Sequence, residues 1–154
     1  MPNYDYTNGA TSGNLHSGHK LSVVERVLDF AQIAIDRAAA GLTALAAADV
    51  IQLIGVAAGQ HVLVVYADVE RVEGEACTFE IGDGTDPNGF LDAVNGNSVA
   101  KSASLVTTPF SVAVGGGKRY AAADTIDMQL NTVAFNVGKV RVFAVILDLR
   151  SDQS

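Results

Sequence analysis

The side chains that could do chemistry in this 154-residue chain fall in a few short stretches. Gly117-Lys118 has the form of the end of a phosphate-binding loop, in which backbone N–H groups wrap a phosphate and a lysine sits on it. Val112 occupies the position of the required first glycine, and Arg119 stands where a serine or threonine must follow, so the pair reads as a glycine-rich hairpin. The run IGDGTDPNGF presents Asp83, Asp86 and Asn88 as oxygen ligands for calcium. Counting back from Gly89 puts Gly84 where an EF-hand needs its first aspartate, and Asp-Pro and Asn-Gly are ordinary turn formers, which leaves a solvated loop. His16 and His19 lie near the N-terminus with His61 far along the chain. Zinc needs a third and fourth ligand, and Cys77 reads as a core residue beside Phe79. No Gly-x-Ser-x-Gly elbow is present, and the carboxylate pairs Glu73 and Glu75, and Asp83 and Asp86, fall near turns where charges are usually solvated. No catalytic, cofactor-binding or metal residue is assigned, no cofactor is expected, and the chain is read as a non-enzyme.

Charge and composition exclude further classes. Ten Lys and Arg against 17 Asp and Glu give a formal net charge of -7, which repels a phosphate backbone or an anionic membrane. The basic residues Lys118, Arg119, Lys139 and Arg141 are not interleaved with stacking aromatics, so nucleic acid is not an expected partner. Aromatics make up 6% of the chain and tryptophan is absent, which weighs against a sugar-stacking surface. The single cysteine rules out an internal disulfide, and neither a signal peptide nor a bilayer-length apolar run is seen. The expectation is therefore a protein made in solution in a reducing compartment, without a membrane partner.

The elements that must position these residues are strands. Ile126, Met128 and Leu130 alternate with polar neighbours between Asp124 and Thr132, and Cys77, Phe79 and Ile81 alternate with Thr78 and Glu80. In His61 to Val72, Leu63, Val65, Ala67 and Val69 form one apolar face, while Val62, Val64 and Tyr66 give way to Asp68 and Glu70 on the other. Val140 to Leu149 is apolar on both faces, Val142, Ala144 and Ile146 against Phe143, Val145, Leu147 and Leu149. Weaker strands fit Val27 to Ile35, Ile51 to Val56 and Ser104 to Thr108, and the Ala-rich run before Ile51 predicts a turn of helix around Ala46 to Val50. Glycine and proline punctuation separates these segments. The expected fold is all-β, a jelly-roll-like β-sandwich of about eight antiparallel strands. Residues 1–22 read as an extended N-terminal arm, 23–150 as the sandwich and 151–154 as a C-terminal tail.

A strand apolar on both faces needs a second cover, from an arm or another subunit. The candidate interface is therefore Val62, Val64, Tyr66, Phe143, Val145 and Leu147, with Tyr4, Tyr6 and Leu15 of the arm as anchors on a neighbour.

The order of segments adds a resemblance. ALAAADVIQLIGVAAGQHVLVVYADVE, then EACTFEIGDGTDPNGFLDAV, then AADTIDMQLN and VGKVRVFAVILDL resemble the small head decoration, or cement, proteins of tailed bacteriophages, encoded near the major capsid protein. The carriers are Asp49, Val50, Gly59, Ile81, Gly82, Asp83, Gly84, Gly89, Phe90, Leu91 and Asp92, within Leu42 to Leu149. The resemblance implies a jelly-roll-like homotrimer bound to the major capsid protein on the outer surface of the virion. The alternatives are a tail- or fibre-associated sandwich that presents loops such as Asp83 to Asn88 to a receptor, and a small-ligand-binding jelly roll or cupin-like enzyme.

Overall fold

The computed structural model describes residues 20–105 and 107–149. Among them, nine strands and one helix follow in the order β1 (Lys20–Asp29), α1 (Phe30–Ala39), β2 (Val50–Val56), β3 (Gln60–Arg71), β4 (Thr78–Gly82), β5 (Leu91–Asn95), β6 (Lys101–Ala103), β7 (Lys118–Arg119), β8 (Asp124–Leu130) and β9 (Lys139–Asp148). A five-stranded sheet runs β1-β9-β3-β6 with β7 also paired to β3, and a four-stranded sheet runs β2-β8-β4-β5. Every pairing is antiparallel. With the two-residue β7 set aside, the remaining eight strands divide first-eighth-third-sixth and second-seventh-fourth-fifth, the order that a long hairpin takes when it rolls up into a jelly roll. The all-β sandwich expected from the two-residue period is present.

The core lies where the alternation puts it. Phe79, Ile81, Ile126, Met128, Leu130, Val142 and Ala144 are fully buried from opposite sheets, and Cys77 is buried beside them. Phe135 links the layers through ring contacts with Phe30 at 4.9 Å and Phe79 at 6.1 Å. Each such ring removed from water contributes roughly 2 kcal/mol or more, which makes this cluster the main fastening between the sheets.

Four local expectations are corrected. The strand expected over Val27 to Ile35 stops at Asp29, and α1 begins at Phe30. The Asp29 side chain accepts from Gln32 N and caps the helix, and Phe30 and Ile33, one turn apart, pack on the core while Ile35 is exposed. An alternation confined to Ala31, Ile33 and Ile35 is too short to separate the two periods. Ala46 to Val50 forms a turn rather than a helix, because Asp49 accepts from Ala46 N at 2.8 Å and Ala48 takes a positive φ of 71°. The strand expected over Ser104 to Thr108 lies instead at Lys101–Ala103. Beyond it, Ser104 N still donates to Val65 O, but the return bond is made by the Ser104 side chain, whose Oγ accepts from Val65 N at 2.8 Å, and Thr108 Oγ1 donates to Phe90 O at 2.8 Å. Finally, β3 is not regular throughout, because its register shifts between Val62 and Val64.

Residues 20–22, expected in the arm, belong to β1. Tyr4, Tyr6, Leu15, His16, His19 and residues 151–154 lie outside the described residues.

Candidate assembly surface and the buried clasp behind it

The outer face of the five-stranded sheet is built as rows of side chains across paired strands. Antiparallel register sets Leu21 beside Leu147, His61 and Arg119, then Val23 beside Val145 and Val64, then Glu25 beside Phe143, Tyr66 and Ala103. The next row holds Val27, Arg141, Asp68 and Lys101, and the last holds Asp29, Lys139 and Arg71. One half of this face is apolar and the other half is charged. Leu21, Val23 and Tyr66 keep 49%, 52% and 40% of their surface exposed, which makes the apolar half the candidate contact for a partner.

The charged half neutralises itself. Arg141 reaches Glu25 and also Glu70 through Nε at 2.5 Å, Lys139 meets Glu70 at 3.2 Å, Lys101 meets Asp68 at 3.8 Å, and Arg71 holds Asp29 at 2.6 Å. The hydrogen bonds from Arg141 and Lys139 lower the Glu70 carboxyl below its ordinary value, and donating to Glu70 raises Arg141 above its own. Burial works against ionisation of Asp29, yet Arg71 and the helix N–H groups hold its carboxyl down. Pairs this exposed contribute little to stability one by one. Together they neutralise the charged half of the face, while Arg119, exposed in the row of Leu21, Leu147 and His61, has no ion pair among the described residues.

Of the predicted interface residues, Val64, Tyr66, Phe143, Val145 and Leu147 come together on this face. Val62 does not. The irregularity in β3 inserts an extra residue after it, so Val62 sits opposite Ile146 and turns inward, fully buried, while Val64 sits opposite Val145 on the outside. A strict period of two across the insertion assigns Val62 to the wrong face. Leu21 and Val23 join the patch through the β1 register and were missed, because β1 starts inside the polar-looking arm.

The two sheets differ in charge. Among the described strands, Lys20, Arg26, Arg71, Lys101, Lys118, Arg119, Lys139 and Arg141 all belong to the five-stranded sheet. The four-stranded sheet has Glu80, Asp92, Asp124 and Asp127 and neither lysine nor arginine. Like copies meeting through the four-stranded sheet would bring carboxylates together.

Behind the assembly face, at one end of the sandwich, the residues singled out for calcium and phosphate chemistry meet each other. Asp83, 1% exposed, accepts from Lys118 Nζ, from Tyr120 Oη at 2.8 Å, from Thr85 N at 2.9 Å and Oγ1 at 2.6 Å, and from Asp86 N at 3.1 Å. Burial alone would raise its pKa; the bonds from Lys118, Thr85 and Tyr120 overcome this and bring it down to about 2. Burial and the neighbouring Asp83 push the Tyr120 hydroxyl strongly up. Lys118 Nζ also lies over the Phe110 ring at 4.1 Å. Both carboxylate oxygens of Asp83 are thus taken by protein donors, and Lys118 faces a carboxylate instead of a phosphate. Gly117 has φ +85°, and a Cβ there would fall 2.3 Å from Val62 O, so close backbone approach explains the glycine beside the lysine. His61 Nε2 lies 2.8 Å from Gly116 O. Glu73, expected to be solvated, is buried and accepts from the N–H groups of Asn136, Val137 and Gly138.

No family model matches the sequence, and no curated protein matches it. The fold does have solved relatives in shape. A chain in the capsid of Ralstonia phage GP4 aligns with a TM-score of 0.59 and 12% identity over 90% of each chain. Another, in the acidic stable capsid of Helicobacter pylori bacteriophage KHP30, aligns with a TM-score of 0.55 and 13% identity over 86% of this chain and 90% of that one. The protein thus has the architecture of chains found in phage capsids, shared along nearly its whole described length.

Proposed function

We propose that this protein is a structural component of a phage virion: a head decoration, or cement, protein that binds the outside of the shell as a homotrimer, contacts the major capsid protein and stabilises the assembled particle. The observation that carries the reading is the fold, matched over 90% and 86% of the chain by chains of two phage capsids. The apolar half of the outer face of the five-stranded sheet, where Leu21, Val23 and Tyr66 are exposed, supports self-association into the homotrimer. The acidic four-stranded sheet is then left to water or to the shell.

The mechanism is thermodynamic. Whatever binds the assembled shell and not its dissociated parts stabilises the shell by mass action. Three linked copies that touch several capsomers at once hold far more tightly than one, since the second and third contacts form within the same complex. Catalysis has no part in this.

Cryo-imaging of the native particle is the test. Density for this fold spread over the head surface is the expected result. Density confined to one vertex would overturn the head assignment in favour of the fibre-associated alternative.

A further inference from the structure

We propose that Lys118 and Asp83 condense after folding into an intramolecular amide, a self-formed covalent crosslink between the two sheets of the sandwich. The inference does not rest on the virion reading; it follows from the clasp alone.

The two groups are held as reactants would be. Asp83 follows the last residue of β4 in the four-stranded sheet, and Lys118 opens β7 on the five-stranded sheet. The Asp83 side chain is 0% exposed and that of Lys118 is 20% exposed, with Nζ against Asp83 Oδ2 and above the Phe110 ring. The Thr85 and Asp86 N–H groups fix the orientation of the carboxylate. Its loop is fixed in turn, since a Cβ on Gly82 would fall 1.9 Å from Asp86 O. Groups oriented in this way react as if at effective concentrations on the order of 10⁵ M or more. At such concentrations, with a site that excludes most water, condensation is favoured over hydrolysis.

A proton path is also present. Lys118 Nζ donates to Thr85 Oγ1 at 3.1 Å, and Thr85 Oγ1 donates to Asp83 Oδ1 at 2.6 Å. Through this hydroxyl one ammonium proton passes to Oδ1, converting the ion pair to a neutral amine and a carboxylic acid. The amine lone pair then attacks Cγ, the Nζ–Cγ bond forms, and the carbonyl electrons move onto Oδ2. There the Tyr120 hydroxyl, 2.8 Å away, stabilises the developing charge. A second proton leaves Nζ through Thr85 for Oδ1, the Cγ–Oδ1 bond breaks, and water departs past the exposed Thr85. The ammonium and carboxylate become one amide and one water, with no oxidant or co-reactant. The resting state is the ion pair, so the first proton transfer sets the rate and the bond forms slowly in the folded chain. Once made, it closes a loop between positions 35 residues apart and ties the sheets at that end.

The intact mass of the purified, folded protein is the readout. The expected mass is lower than that of the sequence by one water, and trypsin should leave residues 72–101 joined to residues 102–119, uncut after Lys118. Lys118→Arg preserves the charge pair and should restore the full mass, and Thr85→Val should slow the mass loss without unfolding the sandwich. A folded wild-type chain at full mass, with the two peptides separate, overturns the proposal. A lost water that survives in Lys118→Arg overturns it as well, since that result marks closure of Asp83 onto the backbone nitrogen of Gly84.

Discussion

Asp127 shows how a single buried carboxyl can burden this fold. It lies on β8 opposite Gly82, is buried, and its Oδ1 has no hydrogen-bond partner among the described residues. Burial, with Asp124 and Asp83 adding repulsion, raises its pKa above the ordinary 3.8. A carboxyl that binds its proton more tightly folded than unfolded burdens the fold above its raised pKa. That burden lifts as the pH falls through it toward 3.8. Asp127→Asn should therefore raise thermal stability at neutral pH, by on the order of 1 kcal/mol, and the advantage over wild type should shrink as the solution is acidified. Melting curves across that range check both the size and the direction. Residue roles of this kind were hard to see in the sequence. IGDGTDPNGF suggested a loop with oxygen ligands, and nothing local to Asp83 says that Lys118 and Tyr120, far along the chain, will occupy its carboxylate. Glu73 was read as solvated for the same reason, because the three N–H groups it accepts from lie beyond Phe135.

At the scale of elements, strands with one wet face were legible and irregular ones were not. β4 and β8 bury the apolar side that their alternation names, because burial of one face makes register costly to change, whereas β9, apolar on both faces, turns Val140, Val142, Ala144 and Ile146 inward, a choice its own pattern leaves open. The register of β3 shifts twice, between Val62 and Val64 and between Val69 and Arg71, and the first shift moves Val62 from the candidate interface into the core. β1 was largely hidden, since its start looks like the polar arm and its end runs directly into a capped helix. Its place at the sheet edge nonetheless puts Val23, half exposed and level with Val145 and Val64, in the middle of the apolar half of the assembly face. Val23→Glu should leave the circular dichroism and melting of the sandwich close to wild type. By placing an unpaired charge in the contact, it should also weaken self-association by roughly tenfold or more. An unchanged oligomer would remove this face from the interface.

For the molecule as a whole, the distribution of charge matters more than its total. A net charge of -7 weighs against a phosphate backbone as a partner but says nothing of which side is which. Folding sorts the strands so that lysine and arginine gather on the five-stranded sheet and the four-stranded sheet carries only acids among its charged residues. Under the proposed self-assembly, a molecule polarised in this way would meet its copies through the five-stranded sheet. The architecture that follows was readable from the period of two and from regular turns. The self-pairing of Arg141, Glu25 and Glu70 was not, because it depends on strands that become neighbours only in the rolled hairpin. Light scattering of the purified protein at micromolar concentration tests the central claim, that this chain is built to assemble with itself through the five-stranded sheet. The account predicts the mass of three chains; a stable single chain across the accessible concentrations would contradict it.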